Sequence, residues 1–150
     1  MYKPHSNLAT YFEKIKSNTF LRTQWDLFYL CFLIGLATNQ SNSPQDEEGG
    51  YGEITTYPTE GFRSIDFYSI LIVQHLKNEE LEITDKKNLK LRLERLMDLD
   101  DGKLSEKGYK VFNEYAYAGF EYLQTKISPS PTDGFSTFRL IKKLLNKELK

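Results

Sequence analysis

Few side chains in this chain are equipped for chemistry, and their spacing limits what that chemistry is. The 150 residues include two histidines and one cysteine. His5 sits near a chain end expected to fray, and His75 falls late in an expected helix, where a partly exposed ring is the ordinary state. Neither begins an H-x-x-x-H or H-E-x-x-H pattern, so a histidine-based metal site has no support. Cys31 cannot pair within the chain or build a cysteine zinc site. Its neighbours Leu30, Phe32 and Leu33 predict an inert buried thiol, because a nucleophile needs a lowered pKa and access.

Two clusters suggest ligand binding and fail on spacing. Asp98, Asp100, Asp101 and Gly102 invite a calcium loop. With Gly102 in the sixth position, however, Met97 falls first and Leu99 third, and neither ligates through its side chain. A turn between helices is the expected structure. Gly49-Gly50-Tyr51-Gly52 has the glycine content of a phosphate cradle, but no GK[ST] follows. Asp46, Glu47, Glu48 and Glu53 surround it with charge that repels phosphate. The chain thus carries no catalytic motif, no metal site and no cofactor signature, and a binding protein is expected.

Binding would have to use the surface. Net charge is −1, so attraction to a polyanion requires a local patch. Lys86, Lys87, Lys90, Arg92 and Arg95 form one basic run, and Lys142, Lys143, Lys147 and Lys150 another. Such runs are ordinarily solvated helix faces. Read functionally, they neutralise a nucleic-acid backbone without reading sequence. Arg22 and Arg63 open helices, where a cation gains nothing from the dipole. A second kind of surface is suggested by Tyr109, Tyr115, Tyr117, Phe120 and Tyr122, which crowd one helix. Tyr117 and Phe120 fall off its main apolar stripe and are expected at a protein interface, where aromatics are enriched; a core built from several aromatics is the alternative.

The elements that position these residues read as a mainly α, compact bundle of about six helices, with one long acidic glycine-rich loop and at most a short extended segment. Residues 1–150 are expected to form one domain. Hydrophobic residues at 39% and aromatics at 14% supply enough apolar surface for a core. Ser6 is the expected cap of a first helix carrying Leu8, Tyr11, Phe12 and Ile15. Thr23 caps a second reaching about Asn39, with Asp26 in its first turn. Between Trp25 and Ala37 this helix is apolar on nearly every side, so it is enclosed by its own domain or buried against another subunit.

From Gln40 to Gly61 the periodicity stops, predicting a mobile loop with a short extended piece at Ile54–Tyr57. Ser64 caps a third helix and Thr84 a fourth. Ser105 caps a fifth reaching about Lys126, with Leu104 and Tyr109 placed for a hydrophobic staple. Ser128-Pro-Ser-Pro ends it, and a last helix carries Phe138, Ile141, Leu144 and Leu145. The apolar run falls short of the roughly 20 residues a membrane span needs. Met1-Tyr-Lys-Pro-His-Ser has no apolar region of a signal peptide, and a lone thiol suits a reducing, cytoplasmic compartment.

The stretch from Lys16 to Ala37 places a break and then an apolar helix with Trp25 and Cys31 after a short first helix. Thr55-Thr-Tyr-Pro-Thr-Glu-Gly-Phe-Arg follows, then an aromatic helix and a basic one. This pattern resembles the DndE-like small helical proteins of bacterial DNA-phosphorothioation and phage-defence operons. It covers residues 8–97, leaving 99–150 as a C-terminal helical extension. The resemblance implies a non-catalytic, oligomerising accessory subunit of a DNA-processing or anti-phage system that contacts DNA through surface lysines. No individual residue is carried over from that family. The alternative is a pure protein-interaction module, an inhibitor or assembly factor, without a nucleic-acid role.

Overall fold

A computed structural model describes residues 1–17, 20–45, 50–58, 64–82, 84–127 and 134–148. The fold is a mainly helical bundle. In chain order its elements are α1 (Leu8–Ile15), α2 (Gln24–Ala37), α3 (Ser64–Asn78), α4 (Lys86–Leu96), β1 (Met97–Asp98), β2 (Lys103–Leu104), α5 (Glu106–Lys126) and α6 (Gly134–Glu148).

The centre is the packing of α2 on α5. Thr23 and Asp26 start α2 with a reciprocal cap. The Thr23 hydroxyl accepts from the Asp26 N–H at 3.3 Å, and the Asp26 carboxylate accepts from the Thr23 N–H at 2.7 Å. Two otherwise orphaned backbone donors are thereby satisfied. Beyond the cap, Trp25, Leu27, Phe28, Cys31, Phe32, Ile34 and Leu36 are all buried. Most of the apolar helix is therefore covered by its own chain, while Tyr29, Leu30 and Leu33 stay partly exposed. Glycines allow the approach: a Cβ on Gly35 would overlap the Tyr115 carbonyl, and one on Gly119 the Cys31 carbonyl. Above this seam Phe32 stacks on Phe112, ring centres 3.8 Å apart.

The N-terminal segment is part of the core. Asn113 on α5 accepts from the Lys3 N–H at 2.8 Å and donates to the Met1 carbonyl at 3.1 Å. Tyr2 packs edge-on against Trp25, 4.6 Å between ring centres. His5 pairs with Tyr51 through an isolated antiparallel bridge, and the Gly52 N–H donates to the Pro4 carbonyl at 2.8 Å. His5 is thus buried, contrary to the expected fraying. The extended piece before Pro58 serves the start of α2. Thr56 accepts from the Gln24 N–H through its hydroxyl at 2.9 Å and from the Trp25 N–H through its carbonyl at 3.2 Å. Mobility of the acidic part of that loop, 46–49, lies outside the described residues.

Two aromatic positions expected at an interface belong to the core. Tyr117 is 1% exposed and Phe120 0%. The His5 ring lies 4.6 Å from Tyr117 and 4.8 Å from Phe120, Tyr11 adds an edge contact to Phe120, and Tyr51 one to Tyr117. A single-stripe reading of α5 fails because α1, the N-terminal segment and the segment around Tyr51 cover its second face.

Smaller differences concern caps and strands. Asp85, not Thr84, caps α4 and accepts from the Asn88 N–H at 3.1 Å. Asn7 precedes α1 without a side-chain cap. The 98–103 turn closes a two-residue antiparallel ladder, Met97 opposite Leu104 and Asp98 opposite Lys103. Gly102 takes φ +68° there, a left-handed conformation that favours glycine. Ser105 caps α5 as expected, accepting from the Gly108 N–H at 3.0 Å.

Candidate anion-binding surface

The short ladder after α4 reverses the chain so that the last turns of α4 face the first turns of α5, beside the end of α3. Arg92 and Arg95 reach into this junction from α4, Lys107 and Lys110 from α5, and His75 and Glu79 from α3 and the turn after it. Together with Leu96, Val111 and Glu114 they line a recess of about 260 Å³. Arg95, Lys107 and Lys110 also line a broader trough of about 1130 Å³, which runs past Lys3, Asn113 and Tyr51 and includes the carboxylate of Glu106. Among the described residues, cations outnumber carboxylates along both.

The recess is internally wired. Glu79 places one oxygen 3.4 Å from His75 Nε2 and the other 3.4 Å from Arg92 Nε. The Tyr115 hydroxyl lies 3.1 Å from His75 Nδ1 and fixes the ring with Nε2 toward Glu79. Lys110 approaches Glu114 at 3.8 Å. Burial lowers the His75 pKa below its ordinary value; Glu79 and Glu114 oppose that shift, while Arg92 and Arg95 reinforce it.

The basic run on α4 divides between two faces. At about 100° per residue, Lys87 and Lys90 point away from Arg92. Lys90 pairs with Glu94 at 3.6 Å on the outer side, and Lys86, Lys87 and Lys90 are exposed. Only Arg92 and Arg95 of the five reach the recess. The partners that complete it, Lys107 and Lys110, and Lys3 along the trough, read in the sequence only as ordinary surface lysines. The i, i+3 spacing of Lys107 and Lys110 was a usable signal, since it puts both on one face of α5. Lys142, Lys143 and Lys147 are exposed on α6; Arg63 and Lys150 lie outside the described residues.

Elsewhere, Phe20 stacks on Phe138 at 4.6 Å. These rings, with Leu30, Leu33 and Ile141, line an apolar groove of about 280 Å³ between α2 and α6. Phe20, Phe135, Phe138 and Leu140 are exposed. Cys31 is fully buried, and burial pushes its thiol far above the ordinary range. Among the described residues, no three His, Cys, Asp or Glu side chains converge into a group able to hold a metal ion, and no helix is long and apolar enough to cross a membrane. No family model, curated protein or solved structure matches the chain.

Proposed function

We propose that this protein is a non-catalytic accessory subunit of a bacterial DNA-processing or anti-phage system, which holds the DNA backbone without reading its sequence. The reading is carried by one observation: Arg92, Arg95, Lys107 and Lys110, from two helices, share one recess, and Lys3 extends the cationic lining along the adjoining trough. In a chain whose net charge is −1, cations gathered on one side orient the molecule toward a polyanion. The likeness of residues 8–97 to DndE-like proteins supports the cellular setting. Lys86, Lys87 and Lys90, on the outer side of α4, contribute field and not contact.

Fluorescence anisotropy with a short duplex tests this. Four phosphate contacts give a slope of log affinity against log salt of about −4, so affinity falls roughly 200-fold between 50 and 200 mM salt. Replacing Arg95 and Lys107 by glutamine is expected to halve that slope. No binding at low salt, or a slope indifferent to those changes, removes the DNA reading. The second reading, a protein-interaction module, is favoured by the exposed Phe20, Phe135 and Phe138 cluster. It gives a discrete oligomer by light scattering and no salt-dependent affinity for the duplex.

A further inference from the structure

The wiring of the recess has an unusual economy: its cations are partly occupied by a carboxylate of the same chain. Each Glu79 oxygen faces a different group, one toward His75 and one toward Arg92, and each at 3.4 Å. Charge-assisted hydrogen bonds settle at about 2.7–2.9 Å. The same chain reaches that range at its surface, with 2.7 Å for Lys16–Glu13 and 2.8 Å for Lys103–Asp101. Glu79 therefore sits between its two partners without closing on either.

Its attachment allows it to leave. Glu79 lies just beyond α3, on a turn that ends with Glu80 at φ +55°. The turn is tied by backbone bonds from Glu79 to the His75 carbonyl and from Glu80 to the Lys77 carbonyl, both 3.0 Å. The backbone is thus held while the side chain, 31% exposed, borders solvent. His75 is oriented by Tyr115 and does not depend on Glu79 for its direction. Arg95 and Lys107 point into the same space, and among the described residues neither has a carboxylate within ion-pair distance.

We propose that this recess is a phosphate-group site in which Glu79 is an internal stand-in: an incoming phosphate displaces its carboxylate from Arg92 and His75 and gains Arg95 and Lys107 as further donors. A tetrahedral oxyanion can serve donors converging from three elements, which a planar carboxylate cannot. At about 260 Å³ the recess also accepts the substituent of a phosphate ester. The inference rests on the same cationic face as the DNA reading, and it takes in a phosphate supplied either free or by a nucleic-acid backbone.

The test is a titration of the ¹⁵N-labelled chain with inorganic phosphate at constant ionic strength, following Arg92 Nε–H and the His75 ring nitrogens. The expected result is a saturable shift confined to these groups and their neighbours. Glu79→Gln tightens it by about fivefold, the scale of one partly exposed ion pair, and Arg92→Gln abolishes it. A shift that appears only in Glu79→Gln also supports the stand-in role. No saturable shift in either protein, or a Glu79→Gln affinity no tighter than the native one, overturns the proposal. Duplex anisotropy on the same proteins separates the sources. Tighter duplex binding by Glu79→Gln assigns the phosphate to a backbone. Phosphate binding without duplex binding keeps the recess and rejects the DNA reading. Duplex binding that depends on Lys107 but ignores Glu79 keeps the DNA reading and rejects the stand-in.

Discussion

Gly119→Ala adds one methyl group at the point where α5 touches α2. The new Cβ would overlap the Cys31 carbonyl oxygen and crowd the Gly35 nitrogen. Those atoms belong to a helix backbone and have no rotamer to retreat into, so α2 must move off as a body, by on the order of an ångström, and loosen the dense packing around Phe28 and Phe32. Overpacking costs about 1–3 kcal/mol and the disturbed core about 1–2 more, while alanine regains roughly 1 kcal/mol of helix propensity. The net loss is about 1–4 kcal/mol, or roughly 3–13 °C in Tm for a domain of this size. Urea denaturation followed by fluorescence of Trp25, the single tryptophan and itself buried, reads it directly. Gly102→Ala is the contrast: it meets open space but sits at φ +68°, so its cost is the backbone conformation alone, about 1–2 kcal/mol. A Gly119→Ala protein as stable as the native one would refute the close helix contact on which the core is argued.

Two further outcomes are expected. Cys31, enclosed and with its thiol pushed far up by burial, is expected to resist thiol reagents in the native chain and to react in denaturant; labelling of the folded protein at the rate of an exposed thiol would contradict its enclosure. The folded His75 prefers its neutral form because burial lowers its pKa, so on acidification the unfolded chain takes up the proton first. The stability it contributes is whole above the ordinary value of 6.5 and is lost as pH falls through that value toward the lower folded one. The stability advantage of the native protein over His75→Gln is therefore expected to shrink as pH falls from above 6.5 toward the lower folded value; in urea midpoints, an advantage that stays constant or grows toward acid would show the sign to be wrong.

What the sequence made legible was local. The caps of α2 and α5 could be read because Thr23 with Asp26, and Ser105 with Gly108, interact across three residues. The central place of α2 followed from apolarity on every side. What escaped was set by distant partners. Tyr117 and Phe120 looked superfluous to a one-sided α5 until His5, Tyr11 and Tyr51 supplied the second covering. His5 looked loose because nothing near it in the chain announces the bonds made through Asn113 and Gly52. The recess draws on three helices, and its α4 share was hidden in a lysine-rich run whose members face different ways. Gly35 and Gly119 carried no signal of close approach, since a glycine in a helix reads only as a weak residue.

The pairing of α2 with α5 also bears on how the protein is made. Gly119 follows Cys31 by about 90 residues, which at typical elongation rates of 5–20 residues per second is an interval of roughly 5–20 s. Throughout it, the most water-averse helix has been synthesised while the helix that shelters it has not. Newly made chains therefore pass through a sticky stage in translation, and the yield of active protein will depend on how well the cell's chaperones guard it until the ribosome delivers the cover.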